Sequence, residues 1–563
     1  MKVCVVGAGP SGLTAIKQLR DEGHEVVCYD KNTDVGGIWL RYDGDGDQMK
    51  VFDNLLLTIS MRLMAYSDFP HKGRREFFSH RRYWEYLRDY AREYDLYDSI
   101  KFETRVESIE RTADGWTVSV QKGDASSNEH FDAVAMCSGP FRSPKRNIEG
   151  LENFSGEIVH SSEYRNNERF RGKRVLVVGL AESGADIVRE ISDVAKECTL
   201  AIRSYNFVLP RVTRGQRSTD QITVRSHQHE MYRRATNYPF RPASFWGNNF
   251  VQKSIFLTFT IIYGMFVNLA ALVRREKREL PDTNPLGEPT EPRKLDIATL
   301  DNDDNINMIK TWNRRSHPDG NWSQKTIFCK NASFIPGIVS GRTKLNDAGI
   351  ASSEENRVSF LDGKSDEFDA IMLCTGFTPD AYSIGDLSVR EGNVRNLYKH
   401  FLHPDHAGTA AFIGYVRPFT GGIPICAEMQ ARYFARLLSG KLQLPDNLEE
   451  RIAQEKKWEE YWTSRSPRQT ESIPAQTIYL DSLAYEIGCL VPMWKMILNP
   501  KLFIQLWFGS YNPSCYRIVG DHNRGREALD DLFSEPVERR YTVAFKYPLM
   551  QLLPGAVHPK NVF

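Results

Sequence analysis

Four apolar residues, Val3 to Val6, precede Gly7-Ala8-Gly9-Pro10-Ser11-Gly12, and Leu13, Ala15, Ile16 and Leu19 then follow at helical spacing. This pattern predicts a strand, a tight turn and a helix. A second apolar run, Glu25 to Tyr29, ends in Asp30, eighteen residues after Gly12. The order recurs at Arg174 to Val178, Gly179-Leu180-Ala181-Glu182-Ser183-Gly184, a helical face of Ile187, Val188 and Ile191, and a strand from Cys198 to Ile202. Tyr83, Trp84, Leu87, Tyr90, Ala91 and Tyr94 share one helix face, while Trp116, Val118 and Val120 alternate as on a half-buried strand. Strands alternating with helices in two such units predict an α/β chain with parallel sheets.

Each glycine of the first turn has a physical task. Gly7 makes the turn, Gly9 lets the backbone approach a pyrophosphate, and Gly12 lets helix and strand pack closely. The helix N-terminus then offers free N–H groups and a favourable dipole to the diphosphate, and Asp30 is placed to accept from a ribose. In the second turn Ala181 replaces the middle glycine, and Arg203 follows the next strand where the first unit has an acid. A guanidinium suits a 2′-phosphate through charged, bidentate hydrogen bonds. The first unit therefore reads as a site for FAD and the second as a site for NADPH, giving two Rossmann-like dinucleotide-binding domains.

Lys and Arg total 73 and Asp and Glu 72, a formal net charge of +1, so no global field favours nucleic acid. The 563 residues, with 41% hydrophobic and 26% charged, suit several globular units. Nine cysteines include no C-x-x-C pair, which argues for a reducing compartment and against a dithiol centre or structural zinc. A flavin that accepts hydride without a dithiol passes its electrons elsewhere, and dioxygen is the acceptor at hand. The chain starts inside its first strand with no signal-like segment, so the sequons at Asn153, Asn321 and Asn331 are expected to be chance matches. His227, His229 and Glu230 lack a further ligand cluster and read as a solvated loop rather than a metal site.

Between the units, Phe154 to Tyr164 spells F-x-G-x-x-x-H-x-x-x-Y. With both glycine turns, this resembles the flavin-containing monooxygenase family. Gly36-Gly37-Ile38-Trp39, Asp68-Phe69-Pro70, Leu373-Cys374-Thr375-Gly376-Phe377, the segment with Pro424, Glu428, Gln430 and Arg432, and Leu506-Trp507-Phe508-Gly509 through Gly520 extend the resemblance along the chain. Tyr164-Arg165 is similar to the ending of the heteroatom-oxidising branch, whereas Baeyer–Villiger enzymes carry tryptophan there. The resemblance implies FAD and NADPH as cofactors, and O2 and a small nucleophilic substrate as partners. It implies that reduced flavin forms a hydroperoxide that passes one oxygen atom to nitrogen or sulfur. Baeyer–Villiger oxygenation and an uncoupled NADPH oxidase are the alternatives.

The cofactor-binding residues it implies are Gly7, Ala8, Gly9, Pro10, Ser11, Gly12, Asp30, Lys31, Gly37, Ile38, Trp39, Thr58, Ile59, Val106, Gly179, Ser183, Gly184, Ala185, Asp186, Arg203 and Gly376. Thr58 and His160 are the candidate catalytic residues, and no metal is expected. Leu57-Thr58 stands where the family has Thr-Asn; a hydroxyl supplies one donor, whereas an amide both donates and accepts. His160 is expected to brace the linker between the nucleotide domains rather than act as an acid or base.

The expected layout is a split FAD domain, 1–164 and 341–445, enclosing an NADPH domain, 165–340, with a mainly helical insert at 208–330. A C-terminal region, 446–563, is expected to pack on both. Ile255 to Val273 is uncharged over 19 residues, and Leu490 to Phe508 carries Trp494, Trp507, Lys495 and Lys501. The first is just long enough to span a bilayer, but a crossing would divide one nucleotide domain between two sides. A cavity lid or a monotopic membrane contact through 255–273 and 490–508 is expected instead. This layout places the protein on the cytosolic side, either associated with the endoplasmic reticulum or soluble in the cytoplasm, and leaves room for a homodimer.

Overall fold

The computed structural model describes residues 1–40, 51–73, 75–212, 218–226, 228, 250–273, 299–316, 328–378, 383–406, 408–418, 421–462, 472–473 and 476–537. Two five-stranded sheets organise them, and both are parallel throughout. The first runs Ala410–Phe412, Ala133–Met136, Lys2–Val6, Glu25–Tyr29, Ile100–Lys101. The second runs Thr343–Asn346, Glu197–Ala201, Arg174–Val178, Ala370–Leu373, Glu157–His160. The strand before each glycine turn is central, and each sheet is accompanied by a three-stranded antiparallel ribbon, 105–131 or 350–367. The α/β class and the two nucleotide-binding folds expected from the pattern are present.

The apolar runs are short because a parallel strand buried on both faces needs no alternation. Val3, Val5, Val175 and Val177 are fully enclosed. The helix Pro10–Asp21 packs along Ile423–Leu438, so the flavin-side core is closed by residues four hundred positions away. All nine cysteines are unpaired and buried.

Three sequence expectations are corrected. The boundaries at 165 and 340 cut through the second sheet, because Glu157–His160 and Ala370–Leu373 pair there, with His160 opposite Leu373 and Val175 opposite Ala370. An apolar run such as Ala370-Ile371-Met372-Leu373 carries no mark of which parallel sheet it joins. The helix His80–Glu93 buries Tyr86 rather than Trp84; the Trp84 indole instead donates to the Val35 carbonyl at 2.9 Å beside the Gly36 turn. Finally, the two apolar stretches pack on one another. Phe256 on the helix Phe250–Val273 meets Phe503 and Trp507 on Pro500–Phe508, with ring centroids 5.2 and 4.9 Å apart. Trp507, expected at an interface, is core, while Trp494 stays exposed.

The segment 476–537 is tied to both units. Arg517 joins Asp68 and Glu428 of the flavin side, while Arg225 of the insert pairs with Asp481 at 3.1 Å and donates to the Leu506 carbonyl. His227, His229 and Glu230 lie outside the described residues.

Candidate active site

The first glycine turn opens toward a cavity of about 850 Å³, to which the second turn contributes Glu182. Gly7, at φ +101°, makes the first turn, and its N–H donates to the Tyr29 carbonyl at 2.8 Å. A Cβ on Gly12 would lie 1.7 Å from the Gly7 carbonyl oxygen, so only glycine allows helix and turn this approach. The Gly36-Gly37 turn abuts the first one: a Cβ on Gly37 would reach 3.0 Å from the Gly9 Cα. Asp30 is almost enclosed, and its two oxygens accept the Ala8 and Asn32 N–H groups at 2.5 and 2.8 Å. Burial pushes its carboxyl up, against the opposing pull of those N–H groups.

Gly7, Gly9, Pro10, Ser11, Asp30, Lys31, Gly37, Ile38, Trp39, Thr58, Ile59 and Val106 all line the cavity. Ala8 and Gly12 shape the turn from behind. This bare backbone cradle, bounded by a carboxylate, fits the diphosphate and ribose of FAD.

Thr58 is held on a turn fixed from both sides by the insert. Arg211 Nε donates to the Leu57 carbonyl at 3.1 Å, and Asp220 accepts the Ser60 N–H at 2.6 Å. Arg211 also pairs with Asp186 of the second unit at 3.1 Å, so one buried guanidinium couples the Thr58 turn to the helix Glu182–Ser192. Sequence reasoning missed Arg211 and Asp220, since they lie some 150 residues from the turn they hold and belong to no motif.

The second set is placed differently. Gly179, at φ +94°, and Gly184 repeat the turn and its close packing, which suits a second dinucleotide. Ala185 is enclosed, Ser183 is exposed on the first helical turn, and Gly376 joins the linker. Asp186, expected at the coenzyme, does not line the cavity, and its two oxygens accept from Arg211 and Asn331, at 3.1 and 2.5 Å. The strand ends at Ala201 opposite Val178, as the first unit's ends at Tyr29 opposite Val6. Ile202 is therefore the counterpart of Asp30, and exposed Arg203 stands one residue beyond it.

His160, expected to brace the linker, has the contacts of a brace. It is fully buried at the end of its strand; Nε2 donates to the Gly376 carbonyl at 3.0 Å, and Nδ1 accepts the Ser162 N–H at 3.1 Å. Both ring nitrogens are thus engaged in the linker, away from the cavity. The cavity is also lined by Glu182, Phe328, Lys330 and Arg417, which sequence reasoning did not single out.

Comparison with known proteins agrees with this geometry. The flavin-binding monooxygenase-like family model matches residues 1–241 and 315–530. The 4-hydroxybenzoate brominase (decarboxylating) of Marinomonas mediterranea is 34% identical over 541 residues, covering 95% of this chain and 93% of the relative. The N-oxide-forming dimethylaniline monooxygenase 4 of Mus musculus is 28% identical over 536 residues, covering 92% and 84%. In fold, the chain is similar to the S-allyl-L-cysteine S-oxygenase of Allium sativum, with a TM-score of 0.56 at 20% identity over 95% of this chain and 98% of that one. With its glycine turns, its central cavity and a match along most of its length, the chain belongs to the flavin-binding monooxygenase-like family of oxidoreductases, whose cofactors are FAD and NADPH.

Proposed function

We propose that this flavin-dependent monooxygenase transfers one oxygen atom from O2 to a soft nucleophilic nitrogen or sulfur of a small organic substrate inside the cavity. The observation that carries this reading is Thr58, which lines the cavity at the turn shared by the two units. When bound, FAD supplies the carrier that accepts hydride from NADPH and activates O2. The protein contributes enclosure and placement. Gly9 and Gly37 admit the diphosphate, Asp30 accepts from the ribose, Thr58 offers one hydroxyl donor near the reacting end, and the apolar Ile38, Trp39 and Ile59 limit water there.

The test is stoichiometric. With a tertiary amine or thioether substrate, oxygenated product should match NADPH consumed. Thr58→Val should divert more NADPH to hydrogen peroxide, and Thr58→Asn should reduce that leak about tenfold if one added hydrogen bond contributes ~1.4 kcal/mol. NADPH oxidation that yields peroxide alone with every nucleophile tested would leave an oxidase instead. A second reading, in which the nucleophile is an electron-rich phenol carbon, is favoured by the brominase relative, whose 34% identity exceeds the 28% of the N-oxide-forming one.

We also infer a monotopic membrane contact. Phe250–Val267 has mean hydropathy 1.5 and is apolar and long enough to span. Among the described residues, none of the helix Phe250–Val273 lines the cavity, so a lid finds no support. Its outer face, Ile262, Met265, Phe266 and Leu269, is exposed, while Phe256 and Val267 pack inward. Such a face suits a bilayer surface, and flotation with phospholipid vesicles is expected. A protein that stays at the bottom of the gradient removes this contact.

A further inference from the structure

The charged wall of the cavity does more than a glycine cradle requires. Lys330 follows the short strand Phe328–Cys329 and lines the cavity although only 9% exposed. Its backbone N–H donates to both oxygens of Glu182, at 3.0 and 3.1 Å. Among the described residues, its ammonium has no hydrogen-bond acceptor. The charges that bear on it are Glu182, Asp220 and Arg417. Both carboxylates are already engaged: Glu182 by the Lys330 main chain, and Asp220 by the Ser60 N–H at 2.6 Å and by Arg75 at 3.3 Å. Arg417 lines the same cavity and, among the described residues, has no carboxylate partner. Burial lowers the affinity of Lys330 for its proton; Glu182 and Asp220 oppose this and Arg417 adds to it.

Of the cations that line the cavity, Lys330 and Arg417 thus bear on one another beside carboxylates that are already engaged. Holding a buried ammonium beside a guanidinium is costly unless an anion sits between them. Their position narrows the choice. Asn331, next to Lys330, donates to Asp186, which pairs with Arg211, and Arg211 donates to the Leu57 carbonyl beside Thr58. Lys330 therefore stands at the Thr58 side of the cavity.

We propose that Lys330 and Arg417 bind an anionic oxygen group of the substrate, a carboxylate, and so select small aromatic acids over neutral compounds. The aromatic part follows from the apolar Phe328 and Trp39, which line the same cavity, and from the 4-hydroxybenzoate named for the bacterial relative. The inference rests on reading this cavity as the oxygen-transfer site. A phosphate of NADPH carries the same anionic oxygens, and the experiment separates the two sources.

Titrate the FAD-loaded enzyme with 4-hydroxybenzoate, with its uncharged isostere 4-hydroxybenzamide and with NADP⁺, following the flavin absorbance or the heat of binding. The wild type should bind the acid at least about tenfold more tightly than the amide, as one charge-assisted hydrogen bond predicts. Lys330→Met and Arg417→Gln should each abolish that preference while leaving the amide and NADP⁺ affinities within about twofold, and Lys330→Arg should keep it. A wild type that binds the acid no better than the amide overturns the proposal. So does a loss that falls on NADP⁺, which would give the two cations to the coenzyme. Should Lys330→Met fail to retain FAD, the Arg417→Gln and Lys330→Arg titrations decide. Because no turnover is measured, absence of oxygen transfer would count against the proposed reaction and leave this binding result standing.

Discussion

Arg517→Met is expected to destabilise the protein by about 3–5 kcal/mol, the cost of leaving buried carboxylates without their cation. Arg517 is fully buried. Its guanidinium donates to Asp68 and Glu428, both at 2.8 Å, to the Ser67 hydroxyl at 2.8 Å and to the His522 carbonyl at 3.1 Å. Asp68 also takes Lys17 at 2.9 Å and Gln18 at 3.0 Å from the helix Pro10–Asp21. Burial alone would raise the Asp68 carboxyl, but Arg517 and Lys17 hold it well below the usual carboxylate range. The network thus joins the first helix, the Asp68-Phe69-Pro70 loop, the helix Ile423–Leu438 and the C-terminal region. Urea unfolding followed by circular dichroism and flavin release together should show the loss. Arg390→Met, which breaks a more exposed pair with Asp405 and Glu449, is expected to cost about 1 kcal/mol or less. Equal effects of the two substitutions would remove the bracing role from Arg517.

Arg203→Ala is expected to raise the NADPH Michaelis constant about 10- to 100-fold while changing that of NADH little, since one charged hydrogen bond of ~1.5–3 kcal/mol is lost only with the 2′-phosphate. The ground for this is register. The Gly179 N–H donates to the Ala201 carbonyl at 2.9 Å as the Gly7 N–H does to that of Tyr29, so the residues just past Ala201 take the place of the ribose-reading acid. Buried Ile202 stands at that acid's own position, which leaves exposed Arg203 to meet the phosphate. Matched losses for both coenzymes would take Arg203 out of the 2′-phosphate site.

The glycine turns were legible because the constraint on each is local. Gly7 needs a positive φ, Gly12 has no room for a Cβ, and the residues that impose both lie within a few positions in sequence. Apolar runs bounded by those turns fixed the strand–turn–helix units and the α/β class for the same reason. His160 was also readable as a brace, because its motif sits between the units, although its acceptor, Gly376, lies 216 residues away.

What the sequence by itself determined, then, was the pair of nucleotide-binding units, the flavin-side cradle and the family resemblance. Tertiary structure alone decided which sheet receives Ala370–Leu373, that the two apolar stretches pack on each other, and that Arg211 and Asp220 fix the Thr58 turn. It alone brought Glu182, Lys330 and Arg417 to one cavity. The physical reason is that a parallel strand buried on both faces records only that it is buried, and a lone lysine or arginine records only its charge. Which strand or carboxylate each one meets depends on chain closure across hundreds of residues, and no periodicity carries that information.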